Sequence, residues 1–206
     1  MEKKFILTDE FVVNTFGVKL FRIKCVKSFK YAKEGELGGL IEKEENLEQS
    51  GYAWVYGDAW VYGNARVSGD ARVYGNARVS GNAQVYGDAR VYGNARVSGN
   101  AQVYGDARVS GNAWVYGNAR VYGYAWVYGD AKIESNDSHC GFDCFGSANR
   151  HTHAYLTKDN KVEITCGCFK GSIEEFEKKV EETHSGTVYE KQYKAIIDVI
   201  KIKFGL

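Results

Sequence analysis

The chain has 206 residues, 44% of them hydrophobic, so it can bury a core; 27 basic and 26 acidic side chains leave a net charge of +1 and no bulk field for duplex DNA or an anionic membrane surface. No apolar run is long enough to span a bilayer, the opening MEKKFILTDEF lacks a signal-peptide core, and the five cysteines are an odd number, so the expectation is a soluble cytoplasmic protein with free thiols. The 24 glycines, 15 tyrosines and absence of proline suit a fold that uses nearly every backbone N–H in a ladder.

Residues 5–30 alternate apolar and polar on either side of Asn14-Thr15-Phe16-Gly17, which predicts a hairpin. Residues 31–50 carry Gly35, Gly38 and Gly39 and a charged run from Glu42 to Glu48, and they read as an irregular coil over the open end of the segment that begins at Gly51. Residues 1–50 thus form an expected N-terminal hairpin and capping coil.

From Gly51 to Glu134 the chain is fourteen six-residue units, Gly-(Asn/Asp/Tyr)-Ala-X-(Val/Ile)-Z. The deeper period is eighteen: residues 70–87, DARVYGNARVSGNAQVYG, recur unchanged at 88–105. Six residues make one side and eighteen make one turn, which predicts a three-sided parallel β-solenoid. Alternation points Ala and Val inward and X and Z to solvent. Gly with Asn or Asp turns the corner, where one residue takes a positive φ. Stacked rungs about 4.8 Å apart give a rod about 20–25 Å long. An antiparallel meander would prefer a period of twelve, so the eighteen-residue identity favours the coil.

Residues 135–206 leave the pattern. ESNDSHCGFDCFGSANRH reads as a loop, and HTHAYLT and KVEITCGCF flank Lys158-Asp159-Asn160 as a second hairpin. Ser172 with Glu175 fits a capping box opening a helix near 173–184, and a second helix spans about 188–203. This α+β module is expected to cap the other end or dock a partner.

The repeat resembles the hexapeptide repeat of left-handed parallel β-helix proteins, with Val55 and Ala59, Val61 and Ala65 matching its aliphatic and small positions. The stretches LTDE (7–10), LFRIKCV (20–26), GELGGLIEKEENL (35–47) and GCFKGSIEEF (167–176) further resemble uncharacterised hexapeptide-repeat proteins of bacteria, prophages and phages. The resemblance implies a left-handed coil and a homo-oligomer, a dimer or trimer. Its acyltransferase members imply an alternative activity with acetyl-CoA as cofactor and a catalytic His. The repeat itself contains no His, so that role would fall to His151 or His153 as general base.

Two other chemistries are open. Cys140, Cys144, His151, His153, Cys166 and Cys168 offer soft ligands for zinc within a short span, although C-x-C and C-x3-C are not the usual knuckle spacings. The outer surface is the third candidate. Stepping by eighteen, one face carries Arg72, Arg90 and Arg108 between Trp54 and Trp126. A second carries Trp60, Arg78, Arg96 and Trp114 beside Tyr62, Ser80, Ser98 and Tyr116, leaving a shallow step floored by the two arginines. The third holds Gln84 and Gln102 between Arg66 and Arg120. Stacked arginines repel unless relieved, which Asp70, Asp88 and Asp106 at nearby corners do in part and tyrosine rings do by stacking on the guanidinium groups; unrelieved, they suit a small anionic or nucleotide-like ligand, and with the rings a protein partner, for example a host factor. The expected function is that of a non-enzymatic scaffold or binding protein.

Overall fold

The computed structural model describes residues 2–206. β1 (Phe5–Val13) and β2 (Lys19–Cys25) form the expected hairpin, and β2 pairs antiparallel with β3 (Leu37–Ile41). β3 then runs parallel to the repeat, with Leu40 opposite Trp60 and Ile41 opposite Val61. The hairpin is therefore continuous with one flank of the coil.

The repeat folds as fourteen two-residue strands among the described residues, β4 to β17, from Trp54–Val55 to Lys132–Ile133. Each pairs in parallel with the strand eighteen residues on, as Arg90 does with Arg72 and Arg108, so about five triangular turns stack. The rungs fall into three sheets; the second face continues through β3 and the hairpin into one sheet of order β1-β2-β3-β5-β8-β11-β14-β17. The inward Ala and Val side chains form one column and Val55 to Val127 are fully buried. Corners use Gly and not the Asn or Asp as the positive-φ residue; Gly87 sits at φ 68°.

A solenoid ends in a ring of unpaired backbone groups, and here three different donors cover them. Each strand's amides bond to the next coil, so the first coil has free carbonyls. Ala59 O accepts from the Leu40 amide at 2.9 Å, Ala65 O from the Asn46 side-chain amide at 2.8 Å and Ala53 O from the Lys4 ammonium at 2.9 Å. Burial pushes the Lys4 ammonium down to about 8. Asn46 is fully buried and also donates to Gly63 O at 3.1 Å. Asn46→Ala orphans both carbonyls and should cost about 1–3 kcal/mol in a urea titration. A loss below about 0.5 kcal/mol would mean that water replaces the amide at no penalty.

At the far end stands a four-stranded antiparallel sheet: β18 (His139–Phe145), β19 (Arg150–Leu156), β20 (Val162–Cys166) and β21 (Phe169–Gly171). β19 and β20 alternate in the direction of their side chains, while β18 breaks register between Phe142 and Phe145. Ala154, Ile164 and Cys166 face α1 (Ile173–His184) and α2 (Val188–Phe204), whose Phe176, Val180, Tyr193 and Ile197 complete a second core. The opposite face meets the coil, where Tyr155 donates to Tyr128 O at 3.3 Å and Thr165 to Trp126 O at 3.1 Å. Ser172 and Glu175 form the expected capping box of α1. β18 replaces the expected loop. Its HCGFDCF has too few aliphatic residues to show a strand by periodicity, and pairing with β19 supplies what the sequence pattern lacks.

The first face also departs from expectation. Trp54 points outward from the coil yet is fully buried, because Phe5 and Phe29 pack edge-on against it at 6.3 and 5.4 Å. Among the described residues no helix is long and apolar enough to cross a membrane.

Candidate ligand groove on the second face

The second face is a grid two residues wide. One column reads Trp60, Arg78, Arg96, Trp114 and Lys132, in register on successive rungs. The other reads Tyr62, Ser80, Ser98 and Tyr116. Where the two serines interrupt the rings a groove of about 630 Å³ opens, lined by Arg78, Arg96, Lys132, Tyr62, Trp114 and Tyr116 and lipped by Thr15 and Phe16 of the β1–β2 turn. Phe16 is 80% exposed.

The arginines are held apart. Arg78 stacks on Trp60 at 4.4 Å, on the rung before it, and Arg96 on Trp114 at 5.2 Å, on the rung after it. Each guanidinium leans outward along the column, which relieves their mutual repulsion and clears the space over the serines. Among the described residues no carboxylate lines the groove, and the Glu134 carboxylate just beyond its end accepts from the Tyr116 hydroxyl at 3.1 Å. Among the described residues, no ion pair includes Arg78, Arg96 or Lys132.

The corners explain why. Those beside the groove carry amides, which bond to one another down the rod, Asn64, Asn82, Asn100 and Asn118 on one edge at 3.0–3.2 Å and Asn76, Asn94 and Asn112 on the other at 3.3 Å, while the carboxylates at the ends of the second edge are paired elsewhere, Asp58 with Arg22 and Asp130 with Lys158. Asp70, Asp88 and Asp106 stand at the third corner, between the third and first faces, away from this groove. Asp70 pairs with Lys30 at 3.3 Å, and neither Asp88 nor Asp106 makes an ion pair among the described residues. The expected relief of the arginines by these carboxylates is replaced on this face by stacking on tryptophan.

The other candidates are placed differently. Arg72 is taken up by Tyr31, whose ring it stacks on at 4.7 Å, while Arg90 and Arg108 stand beside the stacked pair Tyr74 and Tyr92, 4.8 Å apart. Cys140 and Cys166 pack toward the helices, Cys144 and Cys168 are exposed, and His151 and His153 lie on the coil-facing side of the same sheet. Among the described residues no group of three or more His, Cys, Asp or Glu is arranged to hold a metal ion.

The histidines make a cluster of their own. His139, which lies inside the segment 134–151 read as a loop, exchanges a hydrogen bond with His153 between Nδ1 and Nε2 at 2.9 Å. His151 Nδ1 bonds Asp143 at 2.6 Å beside a cavity of about 370 Å³ that Trp126 and Arg150 also line. Burial pushes His139 down to about 4 and His153 well below the usual histidine range, the first aided by the Lys203 charge and the second by its neighbouring histidines. Burial also raises the Cys140 thiol to about 11, which makes it a poor nucleophile at neutral pH.

A capped three-sided parallel β-solenoid with one open cationic groove on its flank is the class of protein that these features define. The coil matches the family model described as the YdcK beta solenoid repeat, over residues 59–72, 71–87, 83–99, 89–103, 101–117 and 113–129. The match lies within the coil and includes neither end module. No curated protein matches the chain.

Proposed function

We propose that this chain is a non-enzymatic binding protein, in which the solenoid is a rigid rod and the second-face groove takes a small anionic ligand. The observation that carries the reading is the pair of stacked, carboxylate-free arginines, Arg78 and Arg96, with Lys132 at the end of the same column. An unpaired guanidinium fork is made for phosphate or carboxylate, and its stacking on an indole limits the freedom it loses on binding. The rigid rungs set the two arginine backbones one rung apart, about 4.8 Å, and stacking on Trp60 and Trp114 holds the forks farther apart than that.

A thermal-shift panel of pyrophosphate, nucleotides and dicarboxylates tests this. At least one should raise the melting temperature of the native chain, and Arg78→Ala with Arg96→Ala should abolish that ligand-dependent shift, each variant being compared with its own unliganded melt. Identical shifts in both proteins would remove the groove from the account.

The Asp143–His151 pair at 2.6 Å favours a second reading, acyl transfer from acetyl-CoA with His151 as general base. Calorimetry with acetyl-CoA separates the two. The binding-protein reading expects no heat that depends on His151, and heat lost in His151→Ala would support the enzyme.

A further inference from the structure

We infer that the groove accepts two stacked planar rings joined to phosphate, the chemistry of a dinucleotide; this deepens the anion-binding reading above and rests on it. The rings of the solenoid form ladders at rung spacing. Tyr74 and Tyr92 stack at 4.8 Å and 3°, and Tyr86 and Tyr104 at 4.9 Å and 1°. On the second face the ladder runs Tyr62, Ser80, Ser98, Tyr116, so two successive rings are missing between two that remain.

Tyr62 and Tyr116 are three rungs apart, about 14 Å. Two inserted rings would stand at the same spacing that the protein's own tyrosines keep. The first face supplies an internal control, because its ladder lacks only one ring, at Ser110 between Tyr92 and Tyr128. That gap is closed, and Ser110 is only 6% exposed. The two-ring gap stays open as the groove.

The anionic half of the ligand is fixed by the neighbouring column. Arg78 and Arg96 start from the same two rungs as Ser80 and Ser98, and their guanidinium forks lie toward the two ends of the slot, against Trp60 and Trp114, where the phosphates of a ligand seated over the serines would meet them. Base stacking on aromatic rings tolerates any base, so the slot selects ring number and charge and not sequence. Phe16, at the lip, offers a further apolar edge to the outer side of the rings.

Isothermal calorimetry on the full chain with 5′-phosphorylated diadenylate, AMP and pyrophosphate tests the proposal. Diadenylate should bind at least tenfold tighter than either of the others. Ser80→Tyr with Ser98→Tyr fills the slot with the protein's own rings, and it should bring diadenylate down to the level of pyrophosphate while pyrophosphate binding persists. Equal affinity of diadenylate and pyrophosphate in the native chain would overturn the two-ring slot and leave the anion site standing. So would a tenfold preference that survives in the doubly substituted chain. No binding by any of the three removes the anion site and the slot together. The native-chain comparison stands by itself should the double variant fold poorly, which its melting curve reports.

Discussion

Gly87→Ala destabilises the chain by about 3 kcal/mol, and Gly57→Ala by about 1–2 kcal/mol. Both glycines turn corners in the left-handed region, at φ 68° and 55°, so both variants carry the strain of an alanine held there. They differ in what lies beyond the missing Cβ. At Gly57 nothing stands within 4 Å; at Gly87 the Gly105 backbone nitrogen would be 2.9 Å away and its Cα 3.3 Å. That neighbour is backbone of the next coil and cannot rotate aside. Relief requires adjacent coils to part, which lengthens the ladder bonds on either side of the corner, from the Tyr86 amide to Val103 O and from the Arg90 amide to Ala107 O, now 3.0 and 2.9 Å. One or two weakened bonds at about 1 kcal/mol each supply the difference. Denaturant midpoints of the two variants check it. Equal losses would mean that the corners are not in contact and that the coils stack more loosely than the structure has them.

Lowering the pH from about 6.5 to about 4 weakens the C-terminal module by about 3 kcal/mol. His139 has its pKa lowered to about 4 by burial, with the Lys203 charge adding to the effect. Unfolded, it takes up a proton near pH 6.5, so its contribution is present in full above that value. The contribution is lost as the pH falls, because the unfolded chain binds protons that the folded one refuses, and it levels off once the folded group titrates near pH 4. His153 acts in the same direction. The hydrogen bond between the two rings, at 2.9 Å, also fails if both nitrogens carry protons. Charged groups around the pair do not offset this: Asp143 is bonded to His151, Glu163 to Tyr155, and Lys203 repels a protonated ring. Protection factors of residues 139–166, corrected for the intrinsic pH dependence of amide exchange, should fall between pH 6.5 and 4 while those of the coil at 70–120 hold. Uniform protection of both regions at pH 4 would contradict the account.

The coil was readable because its physics is local and repeated. Gly, Ala and Val at fixed places within eighteen residues set the corner, the core and the turn length, and the second-face step between Tyr62 and Tyr116 emerged from counting. The ends were harder, because their structure depends on partners distant in sequence. Trp54 looks like any other outward X residue, and only Phe5 and Phe29 bury it. β18 carries no aliphatic alternation and is a strand because β19 pairs with it. His139 was missed for that reason. Phe16 was legible as a turn residue, but its ring borders the groove only because β3 joins the hairpin to the second-face sheet. The stacking of Arg78 and Arg96 on opposite tryptophans needed side-chain geometry, though the sequence placed all four residues in one column.

The most direct test of the central claim, that the second-face groove is a ring-and-anion site, is a crystal of this chain soaked with 5′-phosphorylated diadenylate. Two base rings are expected over Ser80 and Ser98, parallel to Tyr62 and Tyr116, with phosphate against the Arg78 and Arg96 guanidinium groups. Density for the nucleotide on the first or third face, or beside His151, with the groove left empty, would contradict it.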